Sequence, residues 1–225
     1  MVVRAAVVGN ESEPDVGHVG RRLSERGVTL HRWPRERHHE WSELSDVDLV
    51  VLLGSDWSVY WAHVDEAVSV EQAMVREAQR RGVPLLAICF GAQVVASALG
   101  GSVEAAPTPE IGWFTIESDH PGIASGPWMQ WHSDRVLVPP GGQELARSPA
   151  ASQAFVVDRT LAVQFHPEVT SDTVRRWTSD LGPDEARALG LDLDRLLADT
   201  EAFAGVSAAG SDALVDWFCD DVAGR

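Results

Sequence analysis

Two stretches of the chain hold residue types that could do covalent chemistry together. Pro84 to Gly101 reads PLLAICFGAQVVASALGG and carries Cys89, and Val163 to Glu168 reads VQFHPE and carries His166 and Glu168. Cysteine is a good nucleophile as the thiolate, but an amide leaving group needs a proton, so a cysteine that cleaves amides wants a nearby imidazole. His166 can supply it. Pro167 stiffens the segment, and Glu168, two residues on, projects to the same side if the backbone is extended, where its carboxylate can hold the ring tautomer through one nitrogen. Each half alone reads as ordinary structure, because a lone cysteine at a strand end is usually a small buried hydrophobe. The two together, each preceded by sheet-forming sequence, point to an amide-cleaving cysteine site.

Such a cysteine has to be presented. Val83 to Ile88 is an apolar run of strand length that stops at Cys89, and beyond it Phe90, Val94, Val95 and Ala98 share one face at helical spacing. Ala87 and Gly91, two positions either side of Cys89, are small enough for a sharp strand-to-helix turn of the nucleophile-elbow kind. At that turn the sulfur faces a helix N-terminus, whose partial positive charge favours negative charge on it.

The rest of the chain supplies the frame. Val2 to Val8 reads as a buried strand, Val16 to Arg26 as a helix closed by Gly27, and Val28 to Trp33 as a second strand. The polar stretch from Pro34 to Ser45 reads as a solvated loop. Asp46 to Leu53 is a continuous apolar strand of the type buried on both faces of a parallel sheet. It ends in Gly54-Ser55-Asp56, where a glycine lets backbone approach a ligand, beside the Cys89 turn if the two strands are neighbours. Val64 to Arg81 has helical spacing and Gly82 ends it. Alternating strands and helices predict an α/β fold, a doubly wound and mostly parallel sheet with helices on both faces.

After Gly101 the texture changes. Gly112 to Ile116, Trp128 to Trp131, Arg135 to Val138, Ala154 to Val157 and Leu161 to Phe165 read as short strands of a more antiparallel section at one side of the sheet. Thr170 to Thr178 reads as a helix with Thr170 or Ser171 as N-cap. Residues from Gly182 to Arg225 read as a helical C-terminal segment in two or three pieces. Leu189, Leu193, Leu196, Leu197, Leu214, Trp217 and Phe218 are placed to pack on the rest. With no linker or repeat in sight, residues 1–225 form one expected domain, with a core of about 1–180 and a C-terminal extension of about 181–225.

Composition narrows the chemistry. The chain has 225 residues, 34 acidic and 18 basic side chains, and a net charge of −16. Every basic residue is arginine, which removes lysine Schiff bases, P-loop lysines and lysine general bases from consideration. The strong negative charge argues against nucleic acid or an anionic membrane as partner. No stretch approaches the length of a membrane span, and MVVRAAVVGN is too short in its apolar part for a signal peptide. Two distant cysteines, Cys89 and Cys219, give no disulfide framework, so a cytoplasmic location is expected. Cys219 lies in the last apolar stripe and reads as packing. His38-His39-Glu40 is the sharpest candidate for metal ligation, but adjacent histidines point apart on either regular element. No metal or organic cofactor is expected.

LLAICFGAQ together with FHPE resembles the class I, triad-type glutamine amidotransferases, whose nucleophile motif reads Gly-Ile-Cys-x-Gly-x-Gln and whose base motif is His-Pro-Glu. The resemblance runs from about Val47 to Trp177 and is closest to stand-alone proteins similar to the amidotransferase domain of GMP synthase. It is supported by Ser58-Val59-Tyr60 after Gly54-Ser55-Asp56, by Glu110-Ile111-Gly112-Trp113, and by Trp131-His132-Ser133-Asp134. The resemblance implies a flavodoxin-like fold and a catalytic set of Cys89, His166 and Glu168. Cys89 would attack the carboxamide of glutamine, His166 would act as base and then acid, and Glu168 would orient His166. The same resemblance places an oxyanion hole at the Phe90 N–H with one at Gly54 or Ser55, the substrate glutamine on Gln93, and its α-amino and α-carboxylate ends near Trp131 to Ser133.

Three positions depart from the family pattern. Ala87 replaces a usual Gly, Ala92 a larger residue, and Ser55 a common second Gly of the oxyanion loop. If the peptide at Ser55 must take positive φ or flip on substrate binding, serine makes that harder and turnover slow or partner-dependent. His132 stays open between a substrate-binding or loop-ordering role and a satisfied histidine at a strand end.

What the ammonia is for also stays open. No nucleotide-binding synthetase pattern is present, so one reading is a glutaminase passing ammonia to a separate synthase. A second is a stand-alone hydrolase or peptidase acting on another γ-glutamyl compound. A third is a non-catalytic small-molecule-binding relative, against which Gln93 and Glu168 argue. Oligomeric state is not legible.

Overall fold

The computed structural model describes residues 3–13, 15–179, 181, 186 and 189–224. Its main sheet has eight strands, in the order β2-β1-β3-β4-β10-β9-β8-β6. β1 (Val3–Gly9), β2 (Val28–Pro34), β3 (Leu49–Leu52) and β4 (Leu85–Ile88) are the short apolar runs of the first half of the chain. β1 pairs in parallel with β2 and β3, and β3 with β4. On the far side of β4 lies β10 (Thr160–Val163), also parallel to it, with Val163 beside Ile88. β9 (Ser152–Val157), β8 (Gln143–Arg147) and the short β6 (Glu117–Ser118) extend that side in antiparallel fashion.

Alternate side chains of the central strands go to opposite faces, and each face is covered by helices. Ala5, Val7, Leu49, Val51, Leu86, Ile88, Leu161 and Val163 pack with Val19 and Leu23 of α1 (Gly17–Glu25) and with Leu214 and Val215 of α5 (Leu193–Trp217). Ala6, Val8, Val50, Leu52, Leu85, Ala87 and Ala162 pack with Val68 and Val75 of α2 (Asp65–Arg81) and Val94 and Val95 of α3 (Phe90–Ala98). The doubly wound, mostly parallel sheet expected from the sequence is therefore present. Gly27 and Gly82 follow their helices at φ of 81° and 65°, the left-handed position glycine takes at no steric cost.

Three readings need correction. Trp128 to Trp131 and Arg135 to Val138 are one strand, β7 (Trp128–Leu137). It pairs antiparallel with β5 (Ser102–Phe114) in a separate two-stranded ribbon rather than in the main sheet. The ribbon slips register between Ala105 and Glu110, across Pro107 and Pro109, which have no N–H to give to a ladder. The stretch read as a solvated loop begins with a 3-10 turn, Arg35–Glu40, and its first residue is fully buried. The C-terminal segment is helical as expected, most of it in α5 from Leu193 onward. That helix starts at the Asp192 cap and runs into a π turn at Phe218–Val222, which buries Phe218 and Cys219 in the core. Residues 182–185, 187, 188 and 225 of that expected segment lie outside the described residues, and Leu189 is exposed rather than packed. α4 (Ser171–Ser179) begins as expected, with the Thr173 N–H donating to Oγ1 of Thr170 at 3.2 Å.

Candidate active site

Cys89 stands between β4 and α3 at φ 51° and ψ −109°, a strained backbone for a residue with a side chain. The turn is held from both sides. The Cys89 N–H donates to the Val163 carbonyl of β10 at 2.8 Å, and behind the turn α3 lies against β3. A Cβ on Gly91 would stand 2.5 Å from the Leu52 carbonyl oxygen, so the approach that creates the elbow requires glycine there.

Since β10 lies next to β4, residues just past its end reach the elbow. The Gln164 N–H donates to the Gln153 carbonyl at 2.9 Å and the His166 N–H to the Met129 carbonyl at 2.8 Å. These bonds fix the path of the segment, and Nδ1 of His166 then lies 2.8 Å from Oε1 of Glu168. A carboxylate accepts, so Nδ1 carries the proton and Nε2 is left for other work. Nε2 is buried and has no hydrogen-bond partner among the described residues. Burial pushes the imidazolium down, but the negative Glu168 and the sulfur of Cys89 outweigh it and raise the His166 pKa to about 10. Sulfur is met from two more sides. Nε2 of Gln164 donates to it at 3.6 Å, and the carbonyl oxygen of Trp131 lies 3.9 Å away. Trp177 of α4 stands edge-on to the His166 ring, with centroids 5.0 Å apart.

A cavity of about 560 Å³ opens on these groups and is lined by Cys89, His166, Glu168, Gly54, Ser55, Gln93, Trp131, His132 and Ser133, among others. The sequence-predicted residues thus come together around one space. Phe90 does not line it. Its ring is fully buried behind the elbow, and what it can offer the cavity is its backbone N–H as first residue of α3. Gly54 follows Leu53, the residue after β3, and a Cβ on it would stand 2.9 Å from Cε1 of His166. Oε1 of Gln93, one turn into α3, is buried with no partner among the described residues. His132 has its Nδ1 2.9 Å from the Asp134 carbonyl and its Nε2 3.2 Å from Oε2 of Glu110, so both nitrogens face groups of the ribbon. Ser148 and Gln153 donate to that Glu110 oxygen, at 2.9 and 2.8 Å, which ties the ribbon to β9 and the end of β8.

Sequence reasoning missed two contributors. Gln164 is a polar residue inside an apolar run, and that mismatch was a visible signal. Arg35 left none. It is buried under the site, with Nε 2.5 Å from Oε1 of Glu71 in α2, and it donates to Oδ1 of Asn10 at 2.6 Å, to the Leu53 carbonyl at 3.1 Å and to the Gly54 carbonyl at 3.2 Å. Its guanidinium carbon is 4.7 Å from the centroid of the Phe90 ring. Ser55 has an ordinary φ in this structure: Cys89 and Asp158 are the non-glycine residues at positive φ among the described residues. His38, His39 and Glu40 do not converge, and no group of three metal-ligating side chains does so among the described residues. No described helix is long and apolar enough to cross a membrane.

Comparison with known proteins gives a consistent result. The family description "Glutamine amidotransferase class-I" matches residues 17–177. The GMP synthase [glutamine-hydrolyzing] of Thermomicrobium roseum is 38% identical over 141 residues, which cover 58% of this chain and 25% of that protein. The enzyme of the same name from Staphylococcus epidermidis is 32% identical over 161 residues, covering 67% of this chain and 30% of that one. The chain therefore spans a quarter to a third of the length of these relatives. A glutamine amidotransferase from Thermotoga maritima superposes with a TM-score of 0.87 at 25% identity, covering 98% of this chain and 100% of that one.

Proposed function

The chain belongs to the class I glutamine amidotransferases, and from that premise we propose that it hydrolyses the side-chain amide of glutamine on a triad of Cys89, His166 and Glu168. The observation that carries the reading is the buried His166–Glu168 contact of 2.8 Å, set against a cysteine on a strained elbow, with all three facing one cavity.

The Glu168 carboxylate holds Nδ1–H, Nε2 already holds the proton given up by the thiol because the ring stays protonated up to about pH 10, and sulfur attacks the carboxamide carbon as the thiolate. The oxyanion is received by the N–H of Phe90 and one from Gly54–Ser55. Nε2–H then protonates the departing nitrogen, ammonia leaves, and a γ-glutamyl thioester remains on Cys89. Water attacks the thioester, giving its proton to Nε2; the C–S bond breaks and glutamate is released with the thiolate restored. The unpartnered Oε1 of Gln93 is offered to the amino end of the substrate, and the Trp131–Ser133 backbone to its other polar groups. The ammonia goes to a separate synthase, a reading supported by the likeness to GMP synthases whose matched part is a quarter to a third of their length.

The test pairs glutamate and ammonia release from glutamine with labelling of Cys89 by a γ-diazoketone analogue of glutamine. Wild-type chain is expected to release both products in equal amounts and to be labelled at Cys89, with glutamine protecting. Cys89→Ala should do neither. Labelling that glutamine does not slow would remove the glutamine-site reading. Turnover of other γ-glutamyl amines far above glutamine would turn the enzyme into a hydrolase of those compounds.

A further inference from the structure

The oxyanion loop of a cysteine amidohydrolase must aim a backbone N–H at a charge that exists only during the reaction, and here one buried side chain lies bonded to the back of that loop. Arg35 lies behind the loop and does not line the cavity, whereas Gly54 and Ser55 do. Its Nη1 donates to the Gly54 carbonyl at 3.2 Å and its Nη2 to the Leu53 carbonyl at 3.1 Å. The Gly54–Ser55 peptide is trans, since the one cis bond among the described residues is Gly126–Pro127. A trans peptide points its C=O and N–H in opposite directions. A Gly54 carbonyl turned back to Arg35 therefore sends the Ser55 N–H forward, to the cavity side.

The same guanidinium lies against the ring of Phe90, whose N–H is the other donor, at 4.7 Å. Its own orientation is fixed by Glu71 through two contacts of 2.5 and 3.4 Å, and by Asn10 at 2.6 Å. The planar fork of arginine can serve these acceptors at once, and a lysine ammonium cannot.

We propose that Arg35 is a positioning residue that pre-sets the oxyanion loop, so that the glutaminase half-reaction runs in the isolated chain without a partner to flip the peptide. This rests on the glutaminase reading above. It also accounts for the serine at position 55: a loop already turned to its working orientation at ordinary φ has no need of a second glycine.

The experiment compares wild type, Arg35→Lys and Glu71→Gln by glutamine turnover and by alkylation of Cys89 with iodoacetamide. Alkylation needs the thiolate but no oxyanion hole. Arg35→Lys is expected to lose about 100-fold in kcat, as loss of one oxyanion donor does, with KM and the alkylation rate within about threefold of wild type. Glu71→Gln, which removes the charge that fixes the guanidinium, should lower kcat about tenfold with alkylation within about threefold of wild type. An Arg35→Lys chain that melts cooperatively and keeps wild-type kcat overturns the proposal, as does alkylation that falls in step with kcat. If Arg35→Lys does not fold, Glu71→Gln carries the test, since Glu71 holds Arg35 and does not line the cavity: a kcat lowered about tenfold with unchanged alkylation supports the proposal, and an unchanged kcat overturns it. Wild-type chain that is labelled by the diazoketone with glutamine protection, yet turns over no glutamine alone, overturns the pre-set loop and leaves the glutaminase reading standing. No protected labelling removes both.

Discussion

Nδ1 of His166 and Oε1 of Glu168 lie 2.8 Å apart, both residues being buried at the wall of the cavity, and that contact is what keeps a proton on the imidazole. Burial alone would strip it, but the carboxylate, with Cys89 sulfur, lifts the pKa from 6.5 to about 10. Glu168→Gln keeps the shape and removes the charge. In that variant the ring is expected to titrate well below 10, and the change is read by nitrogen-15 NMR of the His166 imidazole. A titration left where it was would mean that Glu168 does not hold the proton.

The same shift has a consequence for stability. A histidine whose folded pKa is raised contributes fully below its unfolded value of 6.5 and loses that contribution as pH rises through about 10. Unfolding free energy from urea melts is therefore expected to fall between those limits in wild type. In Glu168→Gln the fall should be much shallower. Equal slopes in the two proteins would contradict the assignment.

Gln164 gives the sulfur a side-chain donor, Nε2 at 3.6 Å. Gln164→Leu is close in size and removes that donor, leaving negative charge on sulfur less well met. Cys89 alkylation at neutral pH should slow about three- to tenfold, with melting within about 1 kcal/mol of wild type. An unchanged alkylation rate would reduce Gln164 to packing.

Much of this site was legible because its parts are local in sequence. The elbow is written in Ala87, Cys89 and Gly91, and the His166–Glu168 contact spans two residues, so motif and geometry nearly coincide. Gly54 could be placed because a strand-ending glycine next to another strand end is a local signal plus one neighbour relation. Arg35 could not be placed. It sits in a run of charges that looks solvated, and its partner Glu71 is on a helix 36 residues away, where a glutamate among charges also looks solvated. Burial of both is set by tertiary packing, which composition does not encode. The β5–β7 ribbon was obscured for a related reason. Its prolines and polar face blur the alternation that marks a strand, and its pairing partner lies across a long excursion of chain.

That buried pair has a stability of its own to test. Arg35 and Glu71 are both fully buried, and removing one partner strands the other charge. Glu71→Ala is expected to destabilise by about 3–5 kcal/mol, read from urea melts at neutral pH. A change below about 1 kcal/mol would show that water reaches the orphaned guanidinium, contrary to its complete burial.

Two glycines at the site separate folding from catalysis. At Gly91 an added Cβ meets the backbone of Leu52, 2.5 Å from its carbonyl oxygen, and a central strand has nowhere to go. Gly91→Ala should therefore cost about 1–3 kcal/mol or more in stability, as overpacking of a tight core does. At Gly54 the added Cβ meets Cε1 of His166 at 2.9 Å, with Cβ of Cys89 next at 3.5 Å. The ring must give by a few tenths of an ångström, which moves Nε2 relative to sulfur while the sheet stays as it is. Gly54→Ala is thus expected to keep its melting temperature to within a few degrees and to lose about 10- to 100-fold in kcat, the scale of a small misplacement of reacting groups. Glutamine turnover set beside thermal melts of the two variants gives the answer. If Gly54→Ala loses stability rather than rate, the contact with His166 is structural and the base is not held as tightly as the 2.8 Å bond to Glu168 implies.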